Sequence, residues 1–324
     1  MKFGIRLPNT GPLAYSSSIE SIAQKAEHLG FHAVAVQGHV EWGISESYHF
    51  SCGSAEAVDG AEEAARSRCY DAMTTLSFLA GKTENLRLTT SALPLPWMHP
   101  VRLAREISTL HEFSHGRFFP SLCIGNHMKD FEAMGVPFRE RGRIYDEYLE
   151  VLSMLLSSDD PVDFDGRYVT LKSASFSPRV TVPVWIGGRL AEGPAFERVV
   201  KYGSGWLSSG SPDSYRKVRE KLQDATGARR EGGFGRIELG CTKWMSIAKT
   251  DGGAIEDSMY TFERLHQSNL DMYGKSRLRP PVHPSKSAFV GNPKTIIDKI
   301  RPYQEVEWIM LILDSSATVQ MICS

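Results

Sequence analysis

Paired cysteines are missing from this sequence. Only five cysteines occur among 324 residues, and none belongs to a CxxC motif. They are Cys52, Cys69, Cys123, Cys241 and Cys323. An odd number at wide spacing argues against a disulfide framework and suggests no ligand set for zinc. We therefore expect reduced thiols and no bound metal.

The sequence also lacks a long apolar run and an excess of charge of one sign. The apolar part of the opening "MKFGIRLP" is too short for a signal-peptide core, and no other run approaches a membrane span. The 37 basic and 38 acidic residues give a formal net charge of -1, and the basic residues are scattered. This balance argues against nucleic-acid and membrane partners, so we predict a cytoplasmic globular protein.

A third absence concerns nucleotide binding, because no G-x-G-x-x-G follows the first apolar segment. The chain instead alternates apolar segments with amphipathic helical patterns, which predicts a parallel sheet covered by helices. The eight apolar segments are residues 3–7, "HAVAVQ", "LRLTTSAL", "RFFPSLCIG", "VPVWIGG", "GWLSS", "IELGCTKWMSIA" and "VEWIMLIL". Eight units favour a single α/β domain over residues 1–324, a (β/α)8 TIM barrel, with an open doubly wound sheet as the alternative.

The helix boundaries are predicted from capping signals. Ser17-Ser18-Ile19-Glu20 is interpreted as a capping box that opens the first helix, whose apolar stripe runs to Leu29 before Gly30. The later helices are expected around 71–80, from Pro100, over 139–156, up to about 202, after Pro212 and from Asn292-Pro293. Long loops follow strands 2 and 7 (residues 40–69 and 272–287), and each is either a lid or a solvated connection.

The stretch "PVWIGGRLAEGPAFERVVKYGSGW" places two glycines where the fifth strand gives way to a helix. In a barrel the chemistry lies at the carboxyl ends of the strands. Backbone N–H groups at Gly187 and Gly188, with the helix dipole, would suit a phosphate, and Arg189 would add a charged fork. The alternative is a turn that needs glycine conformations.

Several longer blocks carry a family resemblance over nearly the whole chain. They are "SALPLPWMHPVRLAREISTLHEFSHGRF", "GVPFRERGRIYDEYLEVL", "DPVDFDGRYVTL", "PVWIGGR" and "YGSGW". Together they make the chain similar to the bacterial-luciferase-like flavin and deazaflavin oxidoreductases, which are (β/α)8 barrels. The likeness is greatest to the branch that uses coenzyme F420, although FMN-dependent monooxygenases share much of the pattern.

The resemblance implies a set of cofactor-binding residues. The phosphate cradle falls on Gly187, Gly188 and Arg189, in agreement with the reasoning above. A non-proline cis peptide bond, pressed against the flavin ring, falls between Ser91 and Ala92. The remaining cofactor-binding candidates are Asn126, Trp206 and Ser208. Trp206, like Trp185, would either line a ring-binding pocket or belong to the core.

The resemblance implies His39 as a catalytic residue, although Gly38 replaces the acidic residue that usually precedes this histidine. Some deazaflavin enzymes carry a glutamate acid after the fourth strand, but "CIGNHMKDF" has Asn126 and Met128 there. The proton donor is therefore open, with His127 as the second catalytic candidate. The alternative for His127 is an ordinary solvated loop histidine.

The resulting hypothesis is an oxidoreductase that transfers hydride between F420 and a small organic substrate. The first alternative is an FMNH2-dependent monooxygenase that uses a flavin peroxide and a separate flavin reductase. The second is a catalytically inactive flavin-binding barrel. A homodimer is a candidate assembly. In the loop after strand 7, Lys275, Arg277 and Arg279 would meet an anionic substrate or an acidic cofactor tail such as that of F420. Alternatively, they belong to a disordered, solubilising loop.

Overall fold

The computed structural model describes residues 1–11, 13–38, 40, 68–157, 161–188, 193–226, 236–259, 262–263 and 283–313. The expectations for His39, for Arg189 and for the basic residues between 275 and 279 lie outside the described residues. Most of the two long loops does so as well. Cys69, Cys123 and Cys241 are free thiols, as expected.

Eight parallel strands form the centre of the fold. They are β1 (Lys2–Arg6), β2 (Ala33–Val36), β3 (Arg87–Thr90 and Leu93–Pro94), β4 (Phe118–Phe119 and Ser121–Cys123), β5 (Trp185–Gly187), β6 (Gly205–Ser208), β7 (Glu238–Ile247) and β8 (Trp308–Leu313). Each strand pairs in parallel with the next in the chain, and β8 pairs with β1, so the sheet closes. The prediction of a (β/α)8 barrel is confirmed.

Helices follow the strands and cover the outside of the barrel. They are α1 (Ser16–His28), α2 (Ala72–Ala80), α3 (Pro100–Phe113), α4 (Met128–Ala133), α5 (Arg141–Ser157), α6 (Pro194–Tyr202), α7 (Pro212–Thr226), α8 (Pro284–Ser287) and α9 (Pro293–Ile300). Residues 251–259 are also helical. The side chains of Asp71 and Asn292 accept backbone N–H bonds and cap α2 and α9. Across the described ranges, no helix combines the length and apolar character needed to cross a membrane.

The predicted start of the first helix is wrong. Helix α1 begins at Ser16 with Tyr15 at its N-cap, and no side chain caps it. Because Ser17 already lies inside the first turn, it cannot form the capping box. Leu29, placed on the apolar stripe, is 58% exposed. The predicted end is confirmed, since Gly30 has a φ of +79° that suits glycine.

The amino half of the barrel interior is packed with aromatic rings. Trp185, the first residue of β5, is 3% exposed, and its ring lies 5.3 Å from that of Phe119 and 6.1 Å from that of Trp308. A Cβ atom at Gly240 would lie only 2.5 Å from the Trp185 ring, so the glycine makes room for the indole. Trp185 therefore belongs to the core and not to a ring-binding pocket.

Three small strand pairs extend the barrel. Val162–Asp165 and Thr170–Ala174 form an antiparallel hairpin after α5. Thr10–Gly11 pairs with Arg68–Cys69, and this pair joins the segments that follow β1 and precede α2. Phe289–Gly291 lies beside the carboxyl half of β7. None of these pairs shows in the apolar pattern, because each is too short or too exposed to produce one.

Candidate active site

Small side chains bring the carboxyl ends of β3, β4 and β5 close together. A Cβ atom at Gly187 would lie 3.1 Å from the Cβ of Ala92 and 3.3 Å from that of Cys123. Contacts this short are tight for carbon atoms, so a larger residue at position 187 would force its neighbours apart. Ala92, Cys123 and Gly187 thus form a small-residue wall at the end of the barrel where such folds carry their sites.

The peptide bond between Ser91 and Ala92 is cis, as predicted. Its surroundings are well defined on both sides. The Ser91 N–H donates to the carbonyl of Val36 in β2 at 2.8 Å. On the other side, the Thr90 hydroxyl donates to the Ser121 carbonyl at 2.7 Å and accepts the Ser121 N–H at 2.9 Å. These bonds attach the break in β3 to both neighbouring strands.

Both backbone groups of Gly188 are used by β6. Its N–H donates to the Leu207 carbonyl at 3.1 Å, and its carbonyl accepts the indole N–H of Trp206 at 3.2 Å. The Gly188 N–H is therefore occupied, and the glycine contributes space instead. Among the described residues, a Cβ atom there would meet only the Cβ of Ala195 in α6, at 3.4 Å. The position is open toward the first turn of α6.

Trp206 lies in the core between β6 and α6. Its side chain is fully buried, and its ring centroid is 6.1 Å from that of Phe196. The bond to Gly188 is what connects Trp206 to the candidate site. Ser208, at the end of β6, is half-buried, and Asn126 is exposed in the loop after β4. Cofactor contacts by these three residues stay predictions.

A histidine and an aspartate lie together in the loop after β4. The Nδ1 atom of His127 is 3.0 Å from Oδ1 of Asp130, and the two side chains are 13% and 1% exposed. Gly125 has a φ of +75°, and a Cβ atom there would meet the Phe131 ring at 2.9 Å, so glycine is required at the start of the loop. A buried carboxylate at this distance orients the imidazole ring.

Asp130 was not recognised in the sequence. The only available signal was the three-residue spacing in "HMKD", which places both side chains on one side of a helical turn. The spacing is common on helix surfaces and does not by itself indicate burial. The burial of the pair comes from Phe131. Its ring packs against the rings of Trp97 and Phe138 and closes off the turn from solvent.

A buried hydrogen-bond network holds the chain just before His39. The side-chain amide of Asn9 donates to the carbonyls of Gln37 and Tyr70 at 2.9 and 3.0 Å, and its oxygen accepts the Gln37 N–H at 3.1 Å. The side-chain amide of Gln37 donates to the Thr10 hydroxyl at 2.5 Å. The network ties the segment after β1 to the end of β2. It therefore fixes the position of Gln37, two residues before His39 in the chain.

Gly38 lies directly against β3. A Cβ atom there would lie 3.0 Å from the Cα of Leu93, one residue beyond the cis peptide bond. Because that contact is with the backbone, a side-chain rotation cannot relieve it. The acidic residue of the family pattern therefore does not fit at position 38 in this arrangement.

Two further residues of the barrel were not identified as site candidates from the sequence. Arg6 of β1 and Trp244 of β7 both pair with Ile312 of β8, which lies between them. The Arg6 guanidinium carbon is 5.6 Å from the centre of the Trp244 ring, within the range of a cation–π contact. Both lie toward the carboxyl ends of their strands. A single arginine in a strand pattern carries no signal of this pairing.

The cysteine in the small-residue wall is a neutral thiol. Burial raises the pKa of Cys123 to about 11, although a backbone bond at Gly125 opposes the shift. At neutral pH the sulfur is therefore protonated and is not an activated nucleophile. Among the residues that the structure describes, no group of three metal-ligating side chains comes together.

Comparisons with known proteins agree with the barrel fold. An F420-dependent secondary alcohol dehydrogenase, solved with an F420-acetone adduct, superimposes with a TM-score of 0.76 at 19% identity over 99% of this chain and 96% of that one. The monooxygenase RslO1 from Streptomyces bottropensis gives 0.76 at 22% identity over 99% and 96%. The oxygenating constituent of 3,6-diketocamphane monooxygenase from Pseudomonas putida, in complex with FMN, gives 0.66 at 16% identity over 97% and 92%.

At these identities the superpositions establish the fold. The family follows from the sequence itself, because the family model for luciferase-like monooxygenases matches residues 1–307. The chain therefore belongs to the luciferase-like monooxygenase family.

Proposed function

We propose that this protein transfers hydride between coenzyme F420 and a small organic substrate. The observation that carries the proposal is the small-residue wall of Ala92, Cys123 and Gly187 at the carboxyl ends of three adjacent strands. A wall of this kind lets a flat tricyclic ring approach the backbone closely. Bulky side chains would hold such a ring away.

The residues around the wall fit the rest of such a cofactor. The open position at Gly188 faces the start of α6, where a helix N-terminus favours negative charge. Ser208 and Ser209 lie at the end of the neighbouring strand β6 and present hydroxyl donors. Arg189 and Ser208 would hold the phosphate end in the space beside Gly188, and Gly187, Ser91 and Ala92 would face the ring.

A bound deazaflavin supplies a hydride donor or acceptor that lacks the ring nitrogen needed for oxygen chemistry. The protein must then exclude water, position the substrate and move one proton. His127 is suited to the proton, because its Nδ1 lies 3.0 Å from the buried carboxylate of Asp130, which orients the imidazole ring. His39, the family histidine, is the second candidate.

The alternative is an FMNH2-dependent monooxygenase supplied by a separate flavin reductase. It is favoured by the equal superposition of the monooxygenase RslO1 and by the FMN complex from Pseudomonas putida. The same wall would accept either ring system. The two functions therefore differ in cofactor preference and not in the shape of the wall.

Parallel titrations with F420 and FMN, followed by absorbance and protein fluorescence, test the proposal. We expect saturable binding of both, with F420 the tighter ligand, and hydride transfer without oxygen uptake. If FMN binds at least as tightly and turnover consumes oxygen, the protein is a monooxygenase. If cofactor binds tightly but no candidate substrate is oxidised or reduced in a single turnover, the barrel is a binding protein.

A further inference from the structure

Residues 208–210, which begin with the last residue of β6, lie next to the Gly188 position. Trp206 and Leu207 of β6 bind both backbone groups of Gly188, and the turn begins one residue later. We refer to residues 208–210 as the β6 turn. Any displacement of this turn would change the distance between Ser208 and the open position at Gly188.

Two buried tyrosines hold the β6 turn from outside the barrel. The Tyr215 hydroxyl lies 3.0 Å from the Ser208 carbonyl oxygen and accepts the Gly210 N–H at 3.4 Å. The Tyr303 hydroxyl donates to the Gly210 carbonyl at 3.2 Å. Tyr215 belongs to α7 and Tyr303 to the segment before β8, so two distant parts of the chain meet at three residues.

The pair is enclosed and well packed. Tyr215 is 0% exposed and Tyr303 is 6% exposed, and their rings meet edge to face with centroids 6.1 Å apart. The Tyr215 hydroxyl also lies 3.1 Å from the Gly240 carbonyl oxygen, which ties the β6 turn to β7. Burial raises the pKa of each phenol, so both remain protonated donors at physiological pH.

The two serine side chains of the β6 turn are left for a ligand. Ser208 is half-buried and Ser209 is exposed. Within the described part of the chain, neither serine hydroxyl takes part in a hydrogen bond. The Gly188 N–H is occupied by β6, as is its carbonyl. The serine hydroxyls of the β6 turn are therefore suited to donate to a phosphate beside Gly188, together with the N-terminus of α6.

We propose that Tyr215 and Tyr303 are positioning residues that fix the β6 turn as the phosphate-facing wall of the cofactor site. They thereby make the site select phosphorylated cofactors over their unphosphorylated forms. The inference rests on the proposed flavin or deazaflavin site. Neither tyrosine touches the cofactor, because each acts through the backbone of the turn that carries Ser208 and Ser209.

Matched ligand pairs isolate the effect, because FMN and riboflavin differ only by a phosphate. F420 and its deazaflavin chromophore form the second pair, in which the chromophore lacks the phosphate and the tail attached to it. Dissociation constants for all four are measured by fluorescence with the full chain as wild type, Tyr215→Phe and Tyr303→Phe. We expect Tyr215→Phe to weaken FMN and F420 binding by about tenfold while binding of the two unphosphorylated ligands changes less than about twofold.

Tyr145→Phe is the matched control. Tyr145 is also buried in a helix, and its hydroxyl donates to the Leu122 carbonyl of β4 at 3.0 Å. The control removes the same kind of bond away from the β6 turn, so the preference for phosphorylated ligands should stay at the wild-type value. A Ser208→Ala/Ser209→Ala variant leaves the tyrosines intact and should lose the preference. If a tyrosine variant does not fold, the double serine variant tests the inference in its place.

Several outcomes would overturn the inference while leaving the proposed function intact. These are equal weakening of the phosphorylated and unphosphorylated ligands in Tyr215→Phe, the same loss of preference in Tyr145→Phe, or an unchanged preference in the double serine variant. A wild-type protein that binds phosphorylated and unphosphorylated ligands equally also overturns it. Failure of the wild type to bind any of the four ligands would overturn both the inference and the proposed function.

Discussion

The Asp130 carboxylate lies 3.0 Å from Nδ1 of His127, buried beneath the loop that follows β4. A carboxylate at this distance orients the imidazole ring and favours the tautomer that carries its proton on Nδ1. An exposed loop histidine would sample both tautomers. The pair therefore distinguishes His127 from an ordinary surface histidine and gives the missing proton donor a candidate.

We expect Asp130→Asn to change the tautomer of His127, because a neutral amide no longer favours a proton on Nδ1. Long-range 1H–15N spectra report the tautomer without a substrate. Turnover should fall by about tenfold or more in Asp130→Asn and in His127→Gln, with cofactor affinity nearly unchanged.

Asp298→Asn is the control for this prediction, since Asp298 pairs with Arg301 at the same i,i+3 spacing on an exposed helix face. It should alter neither the spectrum of His127 nor turnover. If Asp130→Asn retains the wild-type tautomer, Asp130 has only a structural role. A parallel loss of cofactor binding would point the same way.

The barrel could be predicted because its information is local. Each strand is a short apolar run and each helix has an apolar stripe, so eight repeats appear in the printed sequence. The cis bond at Ser91 came from the family resemblance, since composition does not encode it. The contacts of Tyr303 with Gly210 and of Gly38 with Leu93 join residues 93 and 55 positions apart. Only the folded chain brings them together.

The prediction for Gly188→Asp follows from the open position at the start of α6. Of the residues that the structure describes, the added Cβ atom meets only Ala195, at 3.4 Å, so the variant should fold. Its carboxylate would occupy the anion site and weaken cofactor binding by about tenfold, or about 1.4 kcal/mol. Gly188→Ala adds the same Cβ atom without charge and should bind nearly as well as wild type. Equal losses in both variants would mean that space, not charge, is decisive.

Gly38→Ala should destabilise the protein, because its Cβ atom would lie 3.0 Å from the Leu93 backbone. We expect the free energy of unfolding to fall by about 1 to 3 kcal/mol, as in other overpacked interiors. Gly81→Ala is the control, since a Cβ atom there meets only the Phe78 carbonyl oxygen at 3.7 Å. Urea denaturation measures both variants. A Gly38→Ala variant as stable as wild type would show that β2 and β3 can move apart.

Glu27 should contribute stability that depends on pH. Burial alone would raise the pKa of its carboxyl, but backbone N–H bonds from Asn85, Leu86 and Glu84 outweigh burial and lower the pKa below the ordinary 4.5. Because the folded-state pKa is lowered, the contribution is present above about pH 4.5 and is lost as the pH falls through the folded-state value. The stability difference between wild type and Glu27→Gln should therefore shrink in acid. Glu220→Gln, at an exposed position of α7, serves as the control.

The last prediction separates F420 from FMN through charge. F420 carries an acidic tail that FMN lacks, and the sequence places Lys275, Arg277 and Arg279 in the loop after strand 7. If this loop meets the tail, two charge-assisted contacts would add about 1 to 2 kcal/mol to F420 binding only. Salt should then weaken F420 binding more than FMN binding, because added ions screen exposed charges.

Titrations at low and high ionic strength measure this difference in wild type and in Arg277→Ala/Arg279→Ala. The variant should lose most of the salt dependence of F420 binding, while its FMN affinity stays the same. Lys294→Ala/Arg301→Ala removes the same charge from α9 and serves as the control, so its F420 binding should keep the wild-type response to salt. If both cofactors respond equally in wild type and variant, the basic loop does not contact the tail. Charge then gives no reason to prefer F420, and the FMNH2-dependent monooxygenase becomes the better explanation of the same barrel.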